Sequence, residues 1–499
     1  MSVLILISVF IIATCSLIYE LLAGTLASYL LGDSVLQFST VIGSYMFALG
    51  IGAWLSKYIE TKIGERFVQL EISLGLIGGL SATLLFLIFG ASSASAFRLM
   101  LYVIVLIVGT LSGLEVPLLL RLLQDKLEFK ELVSQVLTLD YIGSLLASVL
   151  FPLLLVPRLG LVRTSCLFGI INLVVAIIFM RVFKVERSRQ FLLTAQASFC
   201  FLILLAAFIF ANSIIHFSEE ALYSDNIIIA KQSPYQRLIV THKANDIRLY
   251  LNNNLQFSSR DEYRYHEALV HPAMQSCPSP KEVLVLGGGD GMAVREILRH
   301  PEVEHITLVD LDPLMTKLFT DHPLLSALNE HSFKSPKVQI INDDAFTWLI
   351  RQNKKYDVAI VDFPDPSNFS VGKLYSTSFY KVLKSHLAPQ GCATIQCTSP
   401  MFARQSFWCI VHTIASVGLA TQPYHIYVPS FGEWGYCLAT NQPVPTPSCR
   451  APKFLTPKIT LAMFDFPEDL KDIPTDINHL HDQALVRYYD REWQAMMLQ

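Results

Sequence analysis

Charged residues are scarce: Asp, Glu, Lys and Arg make up 16% of the 499 residues, and the formal net charge is only −3. No long basic run is present, which excludes the electrostatic footprint of a nucleic-acid binder. The nine cysteines (Cys15, Cys166, Cys200, Cys277, Cys392, Cys397, Cys409, Cys437 and Cys449) include no CxxC pair. Neither a zinc site nor a disulfide framework is therefore indicated, and the thiols are expected as small apolar fillers. The apolar run from 3 to 31 lacks the basic start and small-residue cleavage site of a removable signal, so it is expected to be retained as a span.

What is present divides sharply. Up to about residue 212 nearly everything is apolar, with charges confined to short gaps, whereas from about 225 charged and apolar residues mix as in a water-soluble domain. Apolar stretches beginning near Val3, Leu36, Phe67, Leu99, Leu137, Leu161 and Phe191 predict roughly seven spanning helices of about 20 residues each. This makes the chain a multi-pass membrane protein with the lipid bilayer as a partner. Basic residues gather in alternate gaps (Lys57, Lys62, Arg66; Arg121, Lys126, Lys130; Arg181, Lys184, Arg187, Arg189), which by the positive-inside bias places the N-terminus inside and, after a seventh crossing, the second half outside. Acids stand in or near the apolar runs at Glu20, Asp33, Glu115 and Asp140, where a carboxyl group is expensive. Interhelical hydrogen bonding is the plainer reading of them, and a path for a polycation the sharper one.

In the second half, residues 225–258 alternate apolar and polar, with Asn252-Asn253-Asn254 as a hairpin turn, and predict a small antiparallel sheet. A helix entering at RDEYRYHEALVHP follows. Then strands (283–286, 306–309, 338–341, 358–361, 393–396) alternate with helices (292–299, after Pro313, 345–351, 376–386), which predicts a doubly wound α/β sheet of the Rossmann type. The expected domains are 1–212, 225–275 and 276–499.

The most informative stretch is VLVLGGGDGMAVREILRHPEVEHITLVDLD at 283–312. Gly287 to Gly289 let backbone approach a ligand, and Asp310 at the next strand end can accept from two ribose hydroxyls. Asp290 inside the loop repels phosphate and selects a cationic or uncharged ligand group. Asp290, Asp310, Asp343 and Asp362 each follow a strand and border one crevice, so the ligand should carry positive charge.

The order and spacing of Tyr235-Gln236, the run Gln256 to Glu267, the GGGDG loop, Asp310, Asn342-Asp343-Asp344 and Asp362-FPDP make roughly residues 225–499 resemble the spermidine synthase family of polyamine aminopropyltransferases, in its membrane-anchored branch, with a methyltransferase-type α/β fold. The resemblance implies transfer of the aminopropyl group of decarboxylated S-adenosylmethionine to a diamine, usually putrescine, with release of methylthioadenosine. It assigns Gln236, Asp310, Asp343 and Asp344 to the nucleoside, and His266 and Asp290 to the aminopropyl and amine groups. It makes Asp362 the base, has Asp365 and Tyr265 orient the attacking nitrogen, and lets Gln256 and Gln396 line the same cleft. No cofactor beyond the co-substrate and no metal is implied. A homo-oligomer is left open.

Chemistry agrees with that assignment. A sulfonium is an excellent leaving group, so the protein has to align an amine and remove its proton, and an alkylammonium near pKa 10 needs a carboxylate close by. Intact S-adenosylmethionine carries a carboxylate that Asp290 would repel, which favours the decarboxylated donor. Glu267 reads as a structural ion-pair partner, and Phe431 and Trp434 as core. The chain departs from the family around the amine, with Pro364 between the key acids, Ser367-Asn368-Phe369 where Gly-Pro is usual, and Phe431 where a tyrosine is usual. An S-adenosylmethionine methyltransferase and a membrane polyamine sensor or transporter remain as alternatives. Because the sulfonium donor is made in the cytosol, the resemblance favours a cytosolic catalytic half on the inner cell membrane, against the count of crossings.

Overall fold

The computed structural model describes residues 2–31, 35–91, 94–124, 128–183, 186–223 and 225–497. Asp33, Lys126 and Lys184 lie outside the described residues. The chain forms two compact units, Met1–Asn226 and Ile227–Gln499.

The first unit is all helical: α1 (Ser2–Leu31), α2 (Val35–Leu55), α3 (Ile63–Ala91), α4 (Ala94–Leu123), α5 (Phe129–Leu150), α6 (Val156–Val182), α7 (Arg187–Ile209) and α8 (Ala211–Leu222). Six helical stretches are long and apolar enough to cross a membrane, and one of them covers 130–182. The sequence predicted two separate spans there. Instead α5 passes through a π-helical turn, Phe151–Leu155, directly into α6, and the break comes at Gly160 with φ 74° and ψ 177°. A residue without Cβ adopts that conformation at little cost, so the helix kinks there without a loop. Many large apolar side chains stay exposed on this unit, Phe47, Leu99, Tyr141, Phe191 and Phe199 among them.

The second unit opens with a four-stranded antiparallel sheet, β1 (Asn226–Gln232), β2 (Arg237–Lys243), β3 (Asp246–Leu251) and β4 (Asn254–Ser258). Asn252 and Asn253 take positive φ in the β3–β4 turn, a conformation asparagine tolerates better than most residues. Then come α9 (Glu262–Ser276), β5 (Glu282–Gly287), α10 (Met292–Ile297), β6 (His305–Asp310), α11 (Pro313–Asp321), α12 (Pro323–Leu328), β7 (Val338–Asn342), α13 (Ala345–Ile350), β8 (Tyr356–Asp362), α14 (Phe369–Gly372), α15 (Thr377–His386) and β9 (Leu387–Gln396). The chain closes with α16 (Arg404–Ser416), β10 (Ala420–Val428), β11 (Gly432–Thr440), α17 (Pro457–Met463) and α18 (Ala484–Met497).

The main sheet has seven strands in the order β10-β11-β9-β8-β5-β6-β7. β5 to β9 are parallel, while β11 runs antiparallel to both β9 and β10, so the sheet is mixed. The sequence reading stopped at β9 and missed the last two strands. Alternation along β5 feeds two cores: Val283 and Val285 pack with Ala268, Met292 and Phe319, and Leu284 and Leu286 pack with Trp348, Phe379 and Phe407 on the other face. No division falls at 276, where a domain boundary was expected. α9 packs on β8, β9, β10 and β11, and Phe257 of β4 stacks edge-on against Phe319 of α11, so the small sheet and the α/β layer share a core.

Candidate active site

The chemistry gathers where β5, β6 and β8 end, beside the first turns of α9. Asp261 fixes the start of that helix by accepting from the backbone N–H of Ser430 at 2.6 Å and its hydroxyl at 2.9 Å. One turn on, Glu262 and His266 meet, with Nδ1 2.9 Å from Oε2. Arg295 of α10 grips the same carboxylate with two nitrogens, at 3.0 and 2.9 Å, and donates Nε to Glu296 at 2.9 Å. All four side chains are buried. Burial alone would lift the Glu262 carboxyl, but His266 and Arg295 hold it down at about 2. Burial would likewise depress His266, yet Glu262, Asp290 and Asp362 raise it to about 9. The imidazole is therefore cationic at neutral pH, and its Nε2 is buried with no hydrogen-bond partner.

Beside it, the Tyr265 hydroxyl donates to Asp362 Oδ1 at 2.5 Å, and the rings of Tyr436, Phe431 and Trp434 surround Tyr265 with centroids 5.6, 6.0 and 6.5 Å away. Asp362 ends β8 directly under the glycine loop. A Cβ at Gly287 would lie 2.1 Å from the Asp362 carbonyl oxygen, and the φ of +81° there also favours glycine. Burial pushes the Asp362 carboxyl up to about 6; His266 opposes this and Asp290 adds to it.

Asp365 is held from three sides. Oδ1 accepts from Gln396 Nε2 at 3.2 Å, and Oδ2 accepts from the Thr398 hydroxyl at 3.2 Å and from the Tyr489 hydroxyl at 2.9 Å. Burial again raises the carboxyl. Thr398 carries φ 59°, and its backbone is tied down by its N–H to Gln396 Oε1 and its carbonyl to Gly435 N–H. A strained non-glycine residue beside a carboxylate is a conformation the surroundings must over-determine.

At the end of β6, Asp310 accepts from Gly289 N–H at 3.1 Å and from Asp312 N–H at 2.9 Å, and burial pushes it to about 6, with Asp312 and Asp290 adding to the rise. A Cβ at Gly289 would stand 2.6 Å from Asp310 Oδ2, so the loop and the carboxylate meet only through glycine. Gln236 donates to Asp312 at 3.0 Å, and Asp312 also caps α11 through Leu314 N–H. Asp290 is buried and caps Met292 N–H at 2.9 Å.

The structure thus joins Tyr265, His266, Asp290 and Asp362 in one cluster, Asp365 with Gln396 in a second, and Gln236 with Asp310 through Asp312 in a third. Other predicted roles change. Gln396 is buried and spends its amide on Asp365, Tyr375 and the Phe363 carbonyl, so it supports the cleft and does not line it. Gln256 sits on β4 with its amide on the Asn254 carbonyl, joined to none of the others. Asp343 pairs with Arg351 at 2.6 Å, and Asp344 pairs with Lys373 at 2.7 Å while capping α13. The acids at the rim are therefore partly neutralised by the protein's own cations, His266 included. Glu267 forms no ion pair among the described residues; its carboxylate accepts from the N–H groups of Lys453, Phe454 and Leu455. Among the described residues no three metal-ligating side chains come together.

Glu262, Arg295, Asp312, Thr398 and Tyr489 were missed. Asp312 before Pro313 carried a legible signal, an N-cap followed by proline at the first helical position. Tyr489 carried none, because its partner lies 124 residues away in the chain. Removing its hydroxyl takes away one charged hydrogen bond, so Tyr489→Phe is expected to raise KM for the amine about tenfold with little change in kcat, measured by initial rates at varied amine.

A mixed sheet with five parallel strands, a glycine loop over the end of β5, a ribose-suited carboxylate at the end of β6 and an acid pair at the end of β8 defines a nucleoside-binding α/β transferase. Residues 262–449 match the Spermine/spermidine synthase domain family. Over 493 residues, 98% of this chain and 99% of the relative, it is 52% identical to a polyamine aminopropyltransferase of Leptospira interrogans. It is 51% identical over 506 residues, 99% of each, to polyamine aminopropyltransferase 2 of Ralstonia nicotianae. A spermidine synthase solved in complex with the transition state analogue AdoDATO aligns with 49% of this chain and 88% of its own at 24% identity and a TM-score of 0.46. The chain belongs to the polyamine aminopropyltransferase family.

Proposed function

We propose that the second unit moves the aminopropyl group of decarboxylated S-adenosylmethionine to a diamine, with putrescine as the first acceptor, giving spermidine and methylthioadenosine. The observation that carries this reading is the half-buried Asp362, bonded to Tyr265 and facing a cationic His266, next to a second half-buried carboxylate, Asp365. The attacking amine loses its proton to Asp362 as its nitrogen bonds the carbon beside sulfur, and the C–S electron pair leaves on the neutral thioether. At about 6, the Asp362 carboxyl is a better match for an alkylammonium than an ordinary aspartate is. Asp365 takes the amine's charge, Asp310 the ribose hydroxyls, and Asp343 the adenine amino group, with Gln236 and Asp344 shaping that end and Asp290 near the aminopropyl chain.

The direct test incubates purified protein with each sulfonium form and a defined diamine mixture and identifies the products by mass. Methylthioadenosine with a lengthened amine is expected; S-adenosylhomocysteine would make the protein a methyltransferase. Asp290→Asn is expected to narrow the preference for the decarboxylated donor by about tenfold or more, since two carboxylates about 5 Å apart repel by about 3 kcal/mol at an effective dielectric of 20. An unchanged donor ratio would remove the repulsion argument.

The acid limb of kcat/KM should fall near pH 6, because both Asp310 and Asp362 have to be ionised and both stand at about 6. Activity is then present above that value and lost below it, more steeply than for a single proton. The helical unit is read as embedded in the inner cell membrane, with the α/β unit on the cytosolic side where the sulfonium donor is made. A reporter fused after Asp225 that works only outside would overturn the sidedness.

A further inference from the structure

The helical unit holds a polar cluster that amine transfer does not use. Glu71 of α3 and Glu115 of α4 are 0% and 1% exposed, in a unit whose other buried side chains are mostly apolar. Their carboxyl groups lie within hydrogen-bond reach of each other. Yet ionised carboxylates have no proton to donate, and Glu71 Oε1, Glu71 Oε2 and Glu115 Oε1 meet no other donor. A shared proton resolves the conflict.

Two further buried polar side chains lie along the same face of α3. Glu71, Gly75 and Gly78 follow one face of α3. A Cβ at Gly75 would lie 3.3 Å from the Asn172 Cβ of α6, and one at Gly78 would lie 2.7 Å from the Tyr19 ring of α1. Asn172 is fully buried with neither amide atom bonded, and the Tyr19 hydroxyl, 2% exposed, has no partner either. Tyr19 lies within electrostatic range of both glutamates. The titratable groups facing the pair are Cys15 and Tyr19 from α1, Tyr45 from α2 and Asp140 from α5, none of them a cation among the described residues, while α6 presents the neutral Asn172. Two buried like charges with no counter-ion are not sustainable, so the pair has to take up positive charge from outside. The adjoining cavity, lined by Tyr19, Tyr45 and Ser81, measures about 10 Å³. That space beside Tyr19 has room for about one water and none for an amine.

We propose that Glu71 and Glu115 form a proton-binding site inside the helical unit, separate from the transfer site, which holds one proton between the two carboxyl groups and releases it when another cation replaces it. Infrared difference spectroscopy on the full-length protein reads this without any need for catalysis. At pH 7 a protonated-carboxyl C=O band, sensitive to deuterium, is expected in the wild type. It should vanish in both Glu71→Gln and Glu115→Gln, and decline on addition of 1,4-diaminobutane or sodium chloride; which of the two is effective identifies the replacing cation. Should the glutamine variants fail to fold, Glu115→Asp retains a carboxyl and must shift the band. Asp362→Asn should leave both band and response intact. A band unaffected by the Glu71 and Glu115 variants, or one that no added cation diminishes, overturns the proposal.

Discussion

Asp362→Asn should lower kcat by about 10²- to 10⁴-fold while leaving the affinity for the nucleoside donor within a few-fold of the wild type. The amide cannot take the proton from an attacking ammonium, and that loss appears only in the transition state, so it falls on kcat. The donor contacts proposed for Asp310 and Asp343 lie at the ends of other strands and are untouched. Steady-state rates beside calorimetric titration with methylthioadenosine separate the two effects. Tyr265→Phe acts on the same oxygen through a 2.5 Å hydrogen bond and should be milder, because the carboxylate survives. Full activity in the asparagine variant would end the assignment of Asp362 as the base.

The largest expected effect on stability belongs to Arg295. Arg295→Met takes the shared cation from two buried carboxylates, leaving Glu262 with His266 and Glu296 with Arg299 and His271, and breaking a buried pair in this way costs about 3 kcal/mol or more. For a unit of this size that is roughly 10 °C in Tm, read by tryptophan fluorescence in detergent. Arg295→Lys should fall between, since an ammonium restores the charge but not the fork. The pH dependence of the network follows from its shifts. Glu262 and Glu296 are held down at about 2, so their contribution is complete above the ordinary glutamate range and is lost as pH falls toward 2. His266 is raised to about 9, so its contribution is complete below about 6.5 and is lost as pH rises through 9. The wild type should accordingly loosen on the alkaline side at a pH where Arg295 is still fully charged.

Much of this was legible before any coordinates. The strand, glycine loop and strand of 283–312 are local, and their periodicity, turn residues and terminal acids agree, so β5, α10 and β6 formed where they were expected to within two residues. Asp362 and Tyr265 were singled out because a known spacing surrounds them, and the fold brings the two side chains into a hydrogen bond. What could not be read was pairing across distance. Glu262 looks like any helix-opening acid until Arg295, 33 residues on, closes on it. Gln396 looks like a cleft residue until its amide is seen to be spent inside. The antiparallel β10 and β11 were invisible to a rule that expects each strand to be followed by a helix. Glu71 escaped notice because the acids considered were chosen one by one, whereas its meaning comes from Glu115 beside it.

The hydroxyl that α18 extends to Asp365 has a practical side. The stretch that matches the family ends at residue 449, and an excision trimmed to that boundary would look tidy on paper. It would also strip away Tyr489, the Glu492 carboxylate that anchors the start of α16 at Ser406, and the backbone of 453–455 clasped by Glu267. Anyone wanting a water-soluble version of the enzyme should cut near residue 227 and leave the tail alone, because these last helices and loops are masonry for Asp365 and α16 and not trailing thread.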